Sequence, residues 1–286
     1  MQKVGSRQHW LTVAKRLQEI PAPMHPWPSE VKIYRQLTRR ALRGVRSPRV
    51  LILGSTPEMR DIAHNIVGSE VTCVDIDMNM ISAMGQLVKN HNKIKKEIWI
   101  KSNWVTVPLK EKYYDLILGE AVLGNVPRES WSTFLNHLKD LLRPGGYFIS
   151  RVVANDLGDW HGKTLEEVFD YASVQRLNFM ELYFLLFYRI FGGKHILKMS
   201  NIDMYKTIQK FYNKNKQKYV LSNKYVEGLL NKIAKYLPAS PFQWSNGPKK
   251  IAVKHLRHCF NIRGEYYGRG ESAFNAAYHP IYFLRK

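Results

Sequence analysis

A chain of 286 residues, 45% hydrophobic and 23% charged, has the make-up of a globular protein with room for one large domain or a core with a cap. It has no apolar run of the ~18 residues that a membrane span needs. The opening MQKVGSRQHW lacks a signal-peptide core, so a cytoplasmic protein is expected. The net charge of +21 favours anionic partners, whether nucleic acid, an acidic surface or a negatively charged substrate, unless surface basic residues serve only solubility.

In chain order, Trp10, Val13, Leu17 and Ile20 recur at helical spacing and predict a short amphipathic helix over 6–20. Four prolines between Pro21 and Pro28 make a stiff connector. Ser29 offers an N-cap for a helix from Glu30 to about Leu42. Val50–Leu53 is a short apolar run stopped by Gly54, as suits a strand buried on both faces. Met59, Ile62, Ala63, Ile66 and Val67 give a helix, and Val71–Val74 the next buried strand, with Asp75 at its end. A helix over Met78–Asn90 follows, then a strand at Ile98–Ile100, a strand at Asp115–Gly119 ending before Glu120, and a helix over Trp131–Leu142. Pro144-Gly145-Gly146 stops that helix, and Tyr147–Val153 is the fifth strand. Strands alternate with helices, which predicts a largely parallel, doubly wound α/β sheet.

From about Asn155 the alternation fails. Thr164 with Glu167 forms a capping box for a helix over Thr164–Ala172. Asn178–Phe191, containing LYFLLFY, is apolar nearly all round, which fits a buried helix, a homodimer face or a pocket wall. Asp203–Tyr212, Lys224–Leu237 and Lys249–His258 are further helices, and Cys259–Tyr267 with His279–Leu284 a closing antiparallel pair. Aromatics at 169, 171, 179, 183, 184, 187 and 188 line an apolar pocket or form the cap's own core.

The stretch from Val50 to Asp77 carries the chemistry. Ligands of open α/β sheets bind at the carboxyl ends of the strands, where an acid commonly takes ribose hydroxyls. Gly54 and Asp75 are 21 positions apart, near the ~20 of a nucleotide-binding βαβ unit. Asp77 competes with Asp75, which is preferred because it follows the apolar run directly. Arg151 ends the fifth strand and holds an anionic acceptor or is plain surface charge, and His161 in DWHGK is a general-base candidate or simply exposed. His255 and His258 are helix-spaced, but no companions complete a metal site. Cys73, inside a strand, reads as packing.

The stretches PWPSEVKIY (26–34), LILGSTPEM (51–59), VTCVDIDMNMI (71–81), NWVTVPL (103–109), YDLILGEAVL (114–123), LRPGGYFISR (142–151) and YHPIYFLRK (278–286) fall in order and spacing. Together they resemble the class I S-adenosylmethionine-dependent methyltransferases, in a branch with an LGxTPE-type turn in place of a glycine-rich one. The resemblance implies a Rossmann-like, seven-stranded, mostly parallel sheet with an antiparallel last strand, over 50–154 and 249–286. It implies an N-terminal segment, 1–49, closing over the cofactor with His25, Trp27 and Tyr34, and a helical substrate cap over 155–248. It implies S-adenosylmethionine as cofactor and S-adenosylhomocysteine as product; the residues themselves suggest no metal site. Gly54, Ser55 and Thr56 would meet the amino-acid portion, Asp75 the ribose, and Ile76 and Met78 the adenine. Asn103 would read the adenine amino group with Trp104 supporting it. Glu120 would stand where methyl donor and acceptor meet. The departures are that only Gly54 remains of the G-x-G-x-G pattern, and that Asn103 and Glu120 stand where relatives often carry Asp. The turn after the fourth strand is not the N/D-P-P-Y/F of base-amino methylases, and neither cysteine is placed for pyrimidine C5 attack. A small-molecule acceptor, anionic if Arg151 holds it, is therefore expected, with a nucleic-acid methyltransferase or basic binding module as the alternative.

Overall fold

The computed structural model describes residues 7–89, 92, 96–153, 160, 162–191, 199–200, 206, 210, 213–214, 224–236, 243–244, 248–271 and 279–286. Short β-branched and leucine runs form the strands β1 (Arg49–Leu53), β2 (Glu70–Asp75), β3 (Ile98–Lys101), β4 (Tyr114–Gly119), β5 (Leu142–Arg151), β6 (Asn261–Tyr266) and β7 (Ile281–Arg285). They lie in the order β3-β2-β1-β4-β5-β7-β6. β1 runs parallel to β2 and to β4, with Val50 opposite Val71 and Leu116. β7 is antiparallel to both its neighbours, with Phe283 opposite Ile149 of β5. The doubly wound sheet with an antiparallel last strand is thus present.

The helices are α1 (Arg7–Leu17), α2 (Pro28–Ala41), α3 (Pro57–His64), α4 (Met78–Gly85), α5 (Trp131–Leu141), α6 (Leu165–Val174), α7 (Phe179–Phe191), α8 (Lys224–Tyr236) and α9 (Lys249–Cys259). Alternate residues of each strand point to opposite faces, and both faces are covered. Val50, Ile52, Leu116, Leu118 and Ile149 pack with Tyr34 and Leu37 of α2 and Met59 and Ile62 of α3. Leu51, Leu53, Ile117 and Phe148 pack with Phe134, Leu135 and Leu138 of α5 and Leu256 of α9. Each such fully buried Leu or Phe contributes roughly 1.5–3 kcal/mol. α1 lies on α4, with Trp10 and Ala14 against Ala83 and Met84. Among the described residues, no helix is long and apolar enough to cross a membrane.

Several boundaries differ from the sequence expectation. α2 starts at Pro28 with Trp27, not Ser29, at the N-cap, because proline at the first helical position presets φ. Glu30, three residues after Trp27, accepts the Trp27 N–H at 3.0 Å. α4 stops at Gly85, where the Arg60 guanidinium lies within 3.3 Å of a Cβ added there, rather than running to Asn90. β5 begins at Leu142, paired with Tyr114 before a register shift, so Pro144-Gly145-Gly146 is an irregular lead-in to the strand instead of a break. The Thr164–Glu167 capping box is present in both directions, at 3.1 and 2.7 Å.

α6, α7 and α8 share one core with Ile20, Ala22, Trp27, Ala121 and Val153, so the cap closes on the N-terminal connector and on the turn after β4. Phe169, Phe179, Tyr183 and Phe184 are buried in that core. Residues 179–186 of the apolar stretch therefore pack inward, which removes the basis for a homodimer face there. The helix expected over Asp203–Tyr212 lies almost wholly outside the described residues.

Candidate active site

The carboxyl ends of β1, β2, β4 and β5 bring the predicted residues to one edge of the sheet. β1 ends at Gly54, whose φ of +88° is a conformation L side chains rarely adopt. Its N–H donates to the Val74 carbonyl at 2.8 Å. A Cβ at Gly54 would lie 3.4 Å from Trp104 Cζ2 and 4.0 Å from Asp75 Oδ2, so the turn, the indole and the carboxylate converge. Trp104 is fixed by its own indole N–H, which donates to Val74 O at 2.8 Å. Buried Ser55 and half-buried Thr56 follow, and Thr56 stands at the N-cap of α3 with Pro57 next.

Of the two acids after β2, Asp75 is buried and faces Gly54. Burial pushes its carboxyl up to about 6, against the hydrogen bond that the Asp77 N–H donates to it at 3.2 Å. Asp77 is committed elsewhere: it caps α4 at the Asn79 N–H, 2.9 Å away, and accepts from Trp10 Nε1 at 2.6 Å. Ile76 is 62% exposed and Met78 half-buried. Asn103 is exposed, and its side-chain oxygen accepts the Val105 N–H at 2.9 Å, holding its own turn.

β4 ends in Gly119, where a Cβ would lie 2.8 Å from Val122 Cγ1. Ala121 takes a left-handed conformation, φ 52° and ψ 30°, a strained arrangement for a residue with a side chain. The tight turn drives Glu120 inward, where its side chain is 8% exposed and pairs with Arg151 Nη2. Neither carries a solvated charge. Burial, with Glu30 and Glu58, raises the Glu120 carboxyl to about 7 despite Arg151. Arg151 is wholly enclosed: Nη1 meets Glu30 Oε2 at 3.0 Å, and Nη2 also donates to Pro23 O at 2.7 Å. The plain-surface alternative for Arg151 is thereby corrected.

Tyr34 is fully buried and stitches the two strand ends. Its hydroxyl donates to Gly119 O at 2.8 Å and accepts the Arg151 N–H at 2.5 Å. Trp27 lies over the Arg151 guanidinium at 6.0 Å, and His279 stands 5.5 Å from the Trp27 ring. Burial and Arg151 hold His279 well below its usual range, so it is neutral. Glu30, Pro23 and His279 escaped the sequence reading. The signal for Glu30 was its place three residues after Trp27 in the PWPSE segment. His25 lines a pocket of about 370 Å³ with Leu17, Gln18, Pro57, Glu58 and Leu87, and its Nδ1 lies 3.6 Å from Glu58 Oε1. His161 lies outside the described residues. His255 packs edge-on against Trp131, and among the described residues no cluster of His, Cys, Asp or Glu is arranged to hold a metal. Cys73 is buried, and its thiol meets Gly54 O at 3.1 Å.

Residues 54–150 match the profile of a methyltransferase domain family. No curated protein matches the chain. The N-methyltransferase NodS of Bradyrhizobium japonicum WM9, solved with S-adenosylhomocysteine, superposes with a TM-score of 0.51 at 12% identity, over 97% of this chain and 98% of that one. The 1,6-didemethyltoxoflavin-N1-methyltransferase of Burkholderia thailandensis gives 0.51 at 12%, over 100% and 92%. A Rhodobacter sphaeroides protein assigned to the Zn-dependent alcohol dehydrogenases gives the same score and identity over 96% and 97%, so these likenesses carry the fold alone. The family match therefore points to methyl-transfer chemistry for residues 54–150, about a third of the chain.

Proposed function

We propose that this S-adenosylmethionine-dependent enzyme methylates a small molecule at oxygen, sulfur or nitrogen, in an enclosed site between the sheet edge, the N-terminal segment and the helical cap. The observation that carries the reading is the convergence of Gly54, Asp75 and Glu120 on one edge, roofed by a core that joins Trp27, Ala121 and α6–α8. Such a roof suits an acceptor small enough to be surrounded. Residues 1–49 act as the closing segment and 155–248 as the acceptor-binding cap.

The chain's residues fit the cofactor. Asp75 accepts the ribose hydroxyls in charge-assisted hydrogen bonds. Gly54 lets the backbone approach the amino-acid portion, with Ser55 and Thr56 beside it. Ile76 and Met78 give adenine an apolar surface, Trp104 supports it and Asn103 meets its amino group. When bound, the cofactor supplies an already activated methyl group, so alignment accounts for much of the acceleration. Glu120 faces the acceptor and takes its proton where one must leave. Arg151 holds Glu120, which replaces the expectation that its guanidinium grips an anionic acceptor. The two unpaired cysteines fit a cytosolic setting.

Isothermal calorimetry with S-adenosylmethionine tests the cofactor half. The wild type binds, and Asp75→Ala loses about 1.5–3 kcal/mol, the worth of hydrogen bonds to a charged group. Unchanged affinity in that variant would remove the ribose assignment.

A further inference from the structure

Arg151 carries one charge and serves two carboxylates from distant parts of the chain. Nη1 goes to Glu30 of α2 at 3.0 Å, and Nη2 is shared between Pro23 O and Glu120. Two of these three partners belong to the N-terminal segment. The third element of the arrangement is Tyr34, whose single hydroxyl ties Gly119, the residue before Glu120, to the backbone of Arg151. We propose that Glu30, Tyr34 and Arg151 are positioning residues through which docking of the N-terminal segment readies Glu120 to take a proton from the methyl acceptor.

The physical reason is competition for one guanidinium. Paired with Arg151 alone, Glu120 is a firmly ionised carboxylate and a weak base. Glu30 and the Pro23 carbonyl share the guanidinium with Glu120, which keeps its own contact, and the negative charge of Glu30 adds repulsion, so the Glu120 proton affinity rises. The groups facing this cluster are Glu30 and Tyr34 from α2, Glu58 from the first turn of α3, Arg151 from β5 and neutral His279 before β7. Burial is the largest cause of the rise, and the two acids add to it. In the reaction, an acceptor lone pair forms the new bond to the methyl carbon. The sulfur–methyl bond breaks with its electron pair remaining on sulfur, as the neutral thioether. The acceptor's O–H, S–H or N–H proton passes to a Glu120 oxygen. No further reactant is required.

This inference rests on the methyltransferase reading, and its test is separable from it. The full-length protein, labelled with ¹³C-glutamate, is titrated by carboxyl NMR, with Glu120→Gln identifying the resonance. The wild-type Glu120 signal is expected to titrate near neutral pH. Glu30→Gln keeps an oxygen for the Trp27 N–H and Arg151 but removes the charge, and it should lower the midpoint by about one pH unit or more. Glu30→Asp withdraws the carboxylate by one methylene and should lower it by a smaller step. A purely structural Glu30 would reduce the melting temperature and leave the midpoint in place, which overturns the proposal. A wild-type midpoint in the ordinary carboxylate range overturns it without any variant. Calorimetry with S-adenosylhomocysteine on the same samples separates the two ideas: loss of binding in the wild type defeats the methyltransferase reading, whereas the midpoints report on Glu30 alone.

Discussion

In the proposed cofactor site, Asp75 is the charge on which affinity should turn. Its burial brings the carboxyl to about 6, so it changes state within the range of ordinary assays. Ribose hydroxyls donate, so a ligand held through them selects the ionised form. Affinity for S-adenosylhomocysteine should therefore hold above about pH 7 and fall by up to about tenfold per unit below about pH 6. Calorimetry across that range checks this, with Asp75→Asn weak throughout and without the slope. A slope that survives in Asp75→Asn would belong to Glu120 instead. Asp75 and Gly54 were legible in the sequence because each ends an abrupt apolar run. The state of Arg151 was not: its carboxylate partner Glu30 lies 121 positions away, and no local pattern announces that pairing.

At the scale of elements, α3, α4 and β3 are pinned by a buried cluster. Arg60 forks onto Glu97 at 3.0 and 2.5 Å, donates to Ile81 O at 2.8 Å, and His64 joins Glu97 at 2.6 Å. Both partners of the Arg60–Glu97 pair have fully buried side chains. Removing one partner of such a pair strands the other charge, so Glu97→Gln should cost about 3 kcal/mol, or several degrees in melting temperature. Burial raises the Glu97 carboxyl, yet hydrogen bonds from His64 and Arg60 outweigh it and bring it down to about 2. A depressed carboxyl stabilises above its ordinary value of 4.5 and loses that contribution as pH falls toward 2, so the wild type should weaken over that interval and Glu97→Gln less so. Equilibrium denaturation in the acid range measures both. A second element-scale prediction concerns the turn after β1. Gly54→Ala places a Cβ at φ +88° and should cost about 1–2 kcal/mol and weaken cofactor binding, by denaturation and calorimetry respectively. The parallel strands and the amphipathic α5 followed from periodicity alone. Glu97 did not stand out because it directly precedes a short strand and its partners come from another helix.

For the whole molecule the remaining question is the charge of +21. Residues 31–57 hold seven Lys or Arg and no acid. Lys32, Arg35, Arg39, Arg43, Arg46 and Arg49 are all exposed along α2 and the chain that follows it. α2 begins at the site edge, where Glu30 and Tyr34 reach the ends of β4 and β5, and runs back to the start of β1. Its basic end therefore stands at the opposite edge of the sheet from Asp75 and Glu120. A polyanion gathered on that face would lie away from Asp75 and Glu120, which supports the proposed small acceptor over a nucleic-acid substrate. The field should still attract polyanions. Retention of the full-length protein on single-stranded RNA should weaken steeply with salt, with a slope of about 0.7 for each phosphate neutralised. Arg35→Glu, Arg39→Glu and Arg43→Glu together should flatten that slope and leave the affinity for S-adenosylhomocysteine unchanged. Loss of cofactor binding in the triple variant would mean that the two edges are coupled and that the separation argued from topology fails. An unchanged salt slope would move the source of the attraction to the lysines of 194–235.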